Sequence, residues 1–401
     1  MVYDVIVVGT RPAGAATALL LARAGLRVLA VDRARFPSDT LSTHQIQPPG
    51  VALLRRWGLL EALLAAGTPM IRTARFDHPA AVLHGAYPGP DGVLSPRRTL
   101  LDALLVDAAR AAGAEVWEGF AVTDLLWTDG RVTGVEGAFR RGAPASASAA
   151  VVVGADGKRS TVARRAGARS YRVRPPTSGA CYAYVEGLEL TGGEVYPRAD
   201  RLASVWPTND NLAVAFLSVP RARFDDVRGR GFRAGFGERL AGTRLAGPVR
   251  ATVDLPNGYR VPFGPGWALA GDAGLVMDPI TGQGIGNALR DADALAAALV
   301  SGLGGGRPLR AALAAYQRRR DRERRAMYRI TTSMAAFGPD RAGRWLYPAL
   351  ARDPAGVTCF LGVLAGLTPP NRLWPAALRG LRLTGPRAQP LNTADERFGA
   401  G

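Results

Sequence analysis

The stretch Asp4-Val-Ile-Val-Val-Gly9-Thr-Arg-Pro-Ala-Gly14 lies at the start of the chain and decides how it folds. Its apolar residues predict a short buried strand, and the apolar segment from about Ala13 to Ala24 predicts a helix that Gly25 stops. A second strand is expected at Val28–Val31. Two strands joined by one helix of this length predict a parallel pair with a right-handed crossover.

The turn between the first strand and its helix carries glycines at Gly9 and Gly14, and Asp32 follows Gly9 by 23 residues. A dinucleotide pyrophosphate needs close backbone approach and free helix N–H groups, which such a turn supplies. An acid near this interval can accept a ribose hydroxyl. Arg11 stands where the simple fingerprint has its middle glycine. The turn therefore predicts a nucleotide site with one unusual position.

Two later stretches extend this prediction. Val153-Gly-Ala-Asp156-Gly157 ends an apolar strand, and Trp267-Ala-Leu-Ala-Gly271-Asp272-Ala273 is followed by Asp278-Pro-Ile-Thr-Gly282-Gln-Gly284-Ile-Gly-Asn287. With the first turn, in this order, they resemble the flavoproteins of the para-hydroxybenzoate hydroxylase fold. That superfamily includes class A flavin monooxygenases, geranylgeranyl-reductase-like enzymes and flavin-dependent halogenases. The resemblance covers about residues 1–300.

The resemblance implies FAD as cofactor and assigns residues to it. Gly9 and Gly14 are expected beside the pyrophosphate, Asp32 at the adenosine ribose, and Arg33 near the adenine or its ribose. Arg98 is expected close to the cofactor, and Asp272 at its ribityl or pyrophosphate part. The remaining positions expected to contact FAD are Arg11, Pro12, Ala13, Asp156, Gly271, Pro279, Gly282, Gly284 and Ile285.

The helix expected from Gly284 has a separate physical rationale. Its positive end would face the N1–C2=O edge of the flavin, where reduced flavin carries negative charge, and free N–H groups stabilise such an anion. Such stabilisation would assist any flavin reaction, so it does not indicate which reaction the protein catalyses.

Two residues have open roles. The Arg11 guanidinium could lie beside a phosphate or over the flavin-facing cavity, or it could point into solvent or onto a neighbouring loop. His44, in the loop before Gln45-Ile-Gln47, could bind substrate or transfer a proton, or it could only order the loop. We count His44 and Pro279 as the candidate catalytic residues.

The expected fold class is α/β. A Rossmann-type FAD-binding domain spans residues 1–165 and 262–305, and residues 166–261 form an inserted antiparallel substrate domain, to which residues 71–95 add strands. Residues 306–401 are expected to be helical. Gln317–Arg325 mixes arginines with acids, which predicts a solvated helix face. Tyr182, Tyr184, Trp206 and Phe216 could line an apolar pocket, although such residues are more often core.

Composition limits the other classes of function. The net charge is +18, but 50 of the 51 basic residues are scattered arginines, so we expect no nucleic-acid partner. The only cysteines, Cys181 and Cys359, form no CxxC pair, so we expect no metal. No apolar run reaches about 18 residues, and no cleavable leader precedes the first strand. We therefore expect a cytoplasmic protein without integral membrane association.

The favoured reaction is NADPH- or NADH-dependent monooxygenation of a small organic molecule, with molecular oxygen and a flavin C4a-hydroperoxide. The substrate could be a secondary metabolite. Class A monooxygenases bind NAD(P)H transiently and have one Rossmann domain, as here. A geranylgeranyl-reductase-like reductase or dehydrogenase is the alternative. A halogenase is disfavoured because the Trp-x-Trp-x-Ile-Pro signature is absent.

Overall fold

The computed structural model describes residues 2–382 except Arg141, Ala143, Gly229, Arg230 and Pro339. Its strands, in chain order, are β1 (Val2–Val8), β2 (Val28–Asp32), β3 (Thr73–His78), β4 (Ala81–Ala86), β5 (Glu115–Glu118), β6 (Phe120–Thr128), β7 (Arg131–Phe139), β8 (Pro144–Gly154), β9 (Ser170–Arg174), β10 (Ser178–Glu186), β11 (Gly193–Arg198), β12 (Arg201–Pro207), β13 (Ala213–Pro220), β14 (Arg244–Leu245), β15 (Arg250–Thr252), β16 (Asn257–Arg260), β17 (Phe263–Gly264), β18 (Trp267–Leu269) and β19 (Leu275–Val276). Its α-helices are α1 (Pro12–Arg23), α2 (Pro48–Arg56), α3 (Leu60–Ala65), α4 (Arg98–Ala111), α5 (Thr161–Arg165), α6 (Phe224–Val227), α7 (Gly231–Ala234), α8 (Gly284–Leu303), α9 (Leu309–Ala335), α10 (Gly343–Ala351), α11 (Pro354–Leu364) and α12 (Leu373–Arg382).

The first sheet has the strand order β17-β18-β8-β1-β2-β5, and β6 and β7 extend it from β8. Strands β8, β1, β2 and β5 run parallel, with Val7 between Val153 and Ala30. Because both faces are covered, β1 is apolar from Val5 to Val8: Val5 and Val7 pack with helices α1, α4 and α8, and Ile6 and Val8 pack with β6, β7 and α5. The predicted Rossmann-type domain is confirmed.

The second sheet has the order β14-β10-β13-β12-β11-β3-β4, with β15 on β10. Its pairs are antiparallel except for β11 with β3, which run parallel. Residues 73–86 therefore supply two strands at its edge. On one face Cys181 and Leu217 pack with α6 and α7, and on the other Tyr182 and Phe216 pack with Ile280.

A small third sheet, β19-β16-β9, was not anticipated. Its strand β19 lies within the third sequence motif (residues 267–287), and β9 is the strand that follows α5. In this sheet Tyr259 lies opposite Leu275 and Tyr171. Helices α9 to α12 follow the Rossmann-type domain and confirm the helical C-terminal region within the described residues.

The prediction of a solvated arginine face on α9 is wrong for two residues. Arg320 and Arg324 are buried on the same side as Tyr316 and Tyr328. Arg320 donates to the carbonyl oxygens of Gly274 and Arg260 and to the Tyr171 hydroxyl, at 3.2, 3.0 and 2.9 Å. These partners satisfy a buried guanidinium, and they come from distant parts of the chain that the charge pattern of a single helix does not reveal.

Within the described residues, no helix is both long and apolar enough to cross a bilayer. The same part of the chain contains no group of three or more His, Cys, Asp or Glu side chains arranged to hold a metal ion.

Candidate functional site

At the first glycine turn, the backbone that follows β1 lies in close contact with the backbone that follows β8. Gly9 has φ +92°, and a Cβ there would lie 2.6 Å from the carbonyl oxygen of Ala155. A Cβ at Gly14 would lie 1.7 Å from the Gly9 carbonyl oxygen. Any side chain at either position would push the turn apart, so close packing requires glycine at both positions, and the positive φ favours it at Gly9 as well.

Helix α1 begins at this turn without a side-chain cap. Arg11 is its N-cap residue and makes no capping hydrogen bond, and Pro12 occupies the first turn. The first intrahelical bond near this end is from the Ala15 N–H to the Arg11 carbonyl. The N–H groups of Ala13 and Gly14 are therefore not used within the helix, which favours an anion at this terminus.

Asp32 ends β2 beside the same turn and is buried. Its Oδ2 accepts from the Thr10 backbone N–H at 2.7 Å, and its Oδ1 accepts from the Ala34 N–H at 2.8 Å. Oδ2 also accepts from the Thr10 hydroxyl at 3.3 Å, so the carboxylate is held in one orientation and Oδ1 keeps accepting capacity. The neighbouring Arg33 is exposed.

A buried carboxylate joins the two arginines of the site. Asp102, on α4, accepts from Arg98 Nε at 3.0 Å and Nη2 at 2.9 Å, and from Arg11 Nη1 at 2.5 Å. Arg11 also donates to the Ser38 hydroxyl at 3.1 Å. No described residue accepts from Nη1 of Arg98. Arg11 thus ties the 38–39 loop to Asp102, and sequence reasoning missed this role for Asp102.

Asp156 serves the start of α5. Its Oδ1 accepts from the Ser160 hydroxyl at 2.5 Å, and its Oδ2 accepts from the Thr161 N–H at 2.6 Å. Its backbone touches the first turn, since its Cα lies 2.9 Å from a Cβ placed on Gly9. The structure therefore gives the Asp156 side chain a capping role and brings its backbone to the glycine turn.

The third motif packs on the N-terminus of α1. Gly271 has φ +58°, and a Cβ there would lie 2.8 Å from Ala13 Cβ. Its N–H donates to Asp291 on α8 at 3.2 Å. Asp272 follows and is exposed to solvent.

The loop before α8 is built on Asp278 and two glycines. Asp278 caps the short turn Pro279–Thr281 by accepting from the Ile280 N–H at 2.9 Å, and burial raises its pKa. Gly282 has φ +63°, and a Cβ there would lie 2.1 Å from Gln45 Oε1. A Cβ at Gly284, by contrast, would meet nothing within 4 Å.

Helix α8 also begins without a side-chain cap, because Gln283 makes no capping hydrogen bond. Ile285 is buried behind this end, and Gly284 is exposed. The sequence therefore brings an uncapped, positively polarised terminus to an open surface where no Cβ projects.

His44 is fully buried and has φ +64°, a conformation uncommon for residues other than glycine. Its Nε2 lies 2.8 Å from the Tyr184 hydroxyl, and its Nδ1 has no partner among the described residues. Burial lowers the pKa of His44 to about 3, and the positive charge of Arg98 adds to this effect. The imidazole is therefore neutral at physiological pH.

Tyr184 links His44 to an arginine. The Arg97 guanidinium carbon lies 5.0 Å from the centre of the Tyr184 ring, and Arg97 pairs with Asp210 at 2.7 Å. Desolvation raises the pKa of Tyr184 to about 12. Both members of the His44–Tyr184 pair therefore stay uncharged, and one proton lies between them.

A partly open apolar cavity of about 60 Å³ lies between the second sheet and the C-terminal helices. Leu202, Ser204 and Trp206 of β12 line its sheet side, and Ile280 and Thr281 line it from the loop before α8. Leu361 and Leu364 of α11 close the other side. Of the four aromatic residues considered as pocket residues, only Trp206 lines this cavity.

Two side-chain amides that the sequence analysis did not identify line the cavity wall. Gln45 and Gln47 follow His44, and Gln47 Nε2 donates to Gln45 Oε1 at 3.2 Å. Among the described lining residues the one charged side chain is Arg75, which is exposed and pairs with Asp77 at 2.7 Å. The cavity therefore presents apolar surface and neutral polar groups, with no unpaired charge.

These features fit FAD. The uncapped termini of α1 and α8 offer free N–H groups, Asp32 offers carboxylate oxygens, and Gly284 leaves open space beside the loop that borders the cavity. A long cofactor with an anionic centre and a ribose matches this chemistry.

Comparisons with known proteins agree with this fit. Residues 2–209 match the model of the FAD binding domain family. The menaquinone reductase of Mycolicibacterium smegmatis is 29% identical over 327 residues, covering 75% of this chain and 76% of that protein. The 6-methylpretetramide 4-monooxygenase of Streptomyces rimosus is 31% identical over 332 residues, covering 75% and 76%.

Among solved structures, the flavin-dependent brominase Bmp2 superposes with a TM-score of 0.78 at 20% identity, covering 96% of this chain and 98% of that chain. At this identity the likeness shows the fold alone. The chain belongs to the FAD binding domain family. It is a flavin-dependent oxidoreductase, and the resemblance stated from its three motifs is confirmed.

Proposed function

We propose that the protein is an NAD(P)H-dependent monooxygenase that hydroxylates or epoxidises a neutral, largely apolar organic molecule held in the cavity beside β12. The observation that carries this proposal is the cavity itself, because it adjoins the Pro279–Thr281 loop and the amides of Gln45 and Gln47. Relatives that include a named monooxygenase support the reaction class.

FAD, when bound, would carry two electrons from NAD(P)H to molecular oxygen and so activate it, a reaction that protein side chains cannot perform. We assign its pyrophosphate to the turn of Gly9 and Gly14 and its adenosine ribose to Asp32. Arg98, held by Asp102, offers its free Nη1 to the cofactor. Further contacts are assigned to Arg11, Pro12, Ala13, Arg33, Asp156, Gly271, Asp272, Pro279, Gly282, Gly284 and Ile285.

The chain itself contributes orientation, exclusion of water and proton handling. The apolar walls of Leu202, Trp206 and Leu361 exclude water, and the Gln45 and Gln47 amides offer donors and acceptors to a neutral polar group of the substrate. His44 Nε2 and the Tyr184 hydroxyl hold one proton between two neutral groups. The pair stays neutral while relaying a proton only if one proton enters at one end as another leaves at the other.

A second function is favoured by a specific observation. The menaquinone reductase of Mycolicibacterium smegmatis is similar over three quarters of this chain. A reductase acting on a carbon–carbon double bond would use the same FAD site and the same apolar cavity. Its product would gain two hydrogens and no oxygen atom.

One experiment separates the two reactions. The purified FAD-loaded protein is incubated with NADPH and a panel of neutral aromatic and prenylated compounds under ¹⁸O₂, and each product is weighed by mass spectrometry. The monooxygenase assignment predicts incorporation of one labelled oxygen atom and no turnover without oxygen. A product that gains two hydrogens under anaerobic conditions, with no label, would establish the reductase instead.

Matched variants at Ser204 locate the substrate. Ser204 is buried on β12 and lines the cavity, so Ser204→Phe fills space that the substrate needs, whereas Ser204→Ala keeps the space open. We expect Ser204→Phe to raise KM by about tenfold or more, with FAD content unchanged. Equal KM values in both variants would contradict the proposal that the substrate binds in this cavity.

A further inference from the structure

Helix α12 packs its alanines inside and leaves most of its large apolar residues outside. Ala376 and Ala377 are buried in the cluster that contains Phe360 and Leu361. Trp374 and Leu378, one turn apart, are 58% and 42% exposed. Packing within this chain would favour the opposite arrangement, because burying a tryptophan or leucine stabilises far more than burying an alanine.

The exposed residues continue onto α10. The Trp345 and Trp374 rings are in edge contact, with centroids 5.0 Å apart, and Trp345 is 41% exposed. Leu381, one turn beyond Leu378, is also exposed. We call Trp345, Trp374, Leu378 and Leu381 the outer face. Contiguous exposed apolar groups of this size mark interaction sites more often than isolated exposed side chains do.

The charges around the outer face are mostly positive. Residues 340–382 contain six arginines, two aspartates and no lysine or glutamate. Arg341 and Arg344 precede Trp345, Arg372 precedes Trp374, and all three are exposed. Of the two acids, Asp353 pairs with Arg379 at 3.6 Å. The outer face is therefore surrounded by excess positive charge.

We propose that the outer face docks on the surface of a bilayer that contains anionic lipids. Tryptophan and leucine side chains enter the boundary between headgroups and acyl chains, and the surrounding arginines bind lipid phosphates. A second copy of this chain fits less well, because a two-fold contact would bring the same arginines together. The proposal concerns location and does not depend on which reaction the flavin site performs.

The test measures binding of the full-length FAD-loaded protein to vesicles by co-sedimentation. One set of vesicles contains phosphatidylglycerol and phosphatidylcholine in equal parts, and the other contains phosphatidylcholine alone. The variant Trp374→Ser/Leu378→Ser removes the two most central apolar side chains. Trp127→Ser is the matched control, because Trp127 is 46% exposed on β6, in the Rossmann-type domain. FAD content and melting temperature establish that both variants fold.

We expect the parent and Trp127→Ser to bind the anionic vesicles equally, and the double variant to bind at least about tenfold more weakly. Binding of the parent should weaken as salt is raised. Failure of the parent to bind anionic vesicles overturns the proposal, as does equal binding by the double variant or equal binding to both sets of vesicles. A dimer of the parent that the double variant loses would assign the outer face to a second copy and also overturn it.

Discussion

At the scale of single residues, His44 and Arg11 show how much a side chain's role depends on distant partners. His44 meets Tyr184, 140 residues away, and Arg11 meets Asp102, 91 residues away. The sequence motifs placed both residues near the flavin, but neither partner could be read from local spacing. The roles of both residues remain predictions, and the structure specifies how to test them.

Burial of neutral His44 predicts a pH dependence of stability. The pKa of His44 is about 3 in the folded protein and 6.5 in the unfolded chain, so only the unfolded chain takes up this proton between those values. His44 therefore contributes full stability above pH 6.5 and loses it as pH falls toward 3, at up to about 1.4 kcal/mol per pH unit.

The variant His44→Gln removes this titration and should flatten the loss of unfolding free energy between pH 6 and pH 4, measured by urea titration. His84→Gln is the control, because His84 is exposed on β4. Identical pH dependence in the parent and His44→Gln would show that His44 does not titrate as described.

Arg11→Gly restores the common glycine pattern but removes the bonds to Asp102 and Ser38. We expect FAD to bind roughly three- to tenfold more weakly, because Asp102 then holds Arg98 alone and the 38–39 loop loses its tie. Isothermal titration of the FAD-free protein with FAD measures this. A variant that binds FAD at least as tightly as the parent would leave Arg11 without a role in binding.

At the scale of elements, two helix termini form the proposed flavin site, and one buried helix face supports it. Helices α1 and α8 both begin without side-chain caps, α1 at the first glycine turn and α8 after the loop that borders the cavity. Helix α9 holds the third motif from behind: the Tyr316 hydroxyl donates to the Leu269 carbonyl at 2.9 Å, and Arg324 lies 3.4 Å from Asp291, which accepts from the Gly271 N–H.

Gly284→Val places a branched side chain in the open space at the start of α8. We expect lower FAD occupancy or a lower flavin reduction potential, since the added methyl groups hold the ring away from the helix terminus. Ala297→Val is the control, because Ala297 is exposed on the same helix. Absorbance at the flavin band and a redox titration measure both quantities, and parental values in Gly284→Val would refute the contact.

Arg320→Met tests the buried face of α9. The substitution leaves the Gly274 and Arg260 carbonyls without their donor, so we expect a loss of about 3 kcal/mol or more in unfolding free energy. Arg318→Met, at an exposed position two residues earlier, should change it by less than about 0.5 kcal/mol. Chemical denaturation of both variants measures the difference, and equal losses would contradict the described packing.

At the scale of the whole molecule, local patterns predicted the fold well. The helix predicted from about Ala13 to Ala24 is α1, the strand predicted at Val28–Val31 is β2, and the helix expected from Gly284 begins at that residue. Such elements follow from periodicity and turn residues, which are local properties.

The parts that sequence could not supply depend on contacts between distant segments. The cavity is closed by β12, the loop before α8 and α11, which lie far apart in the chain. The parallel pairing of β3 with β11 and the burial of Arg320 also join distant segments. No spacing rule within one element encodes these contacts.

The central claim is that one FAD lies between the two uncapped helix termini with its ring facing the cavity. A crystal structure of the protein with FAD bound tests this most directly. We predict the pyrophosphate at Gly9 and Gly14, the adenosine ribose on Asp32, and the isoalloxazine beside Gly284, open to the cavity lined by Trp206. FAD bound elsewhere, or a ring turned away from that cavity, would contradict the account.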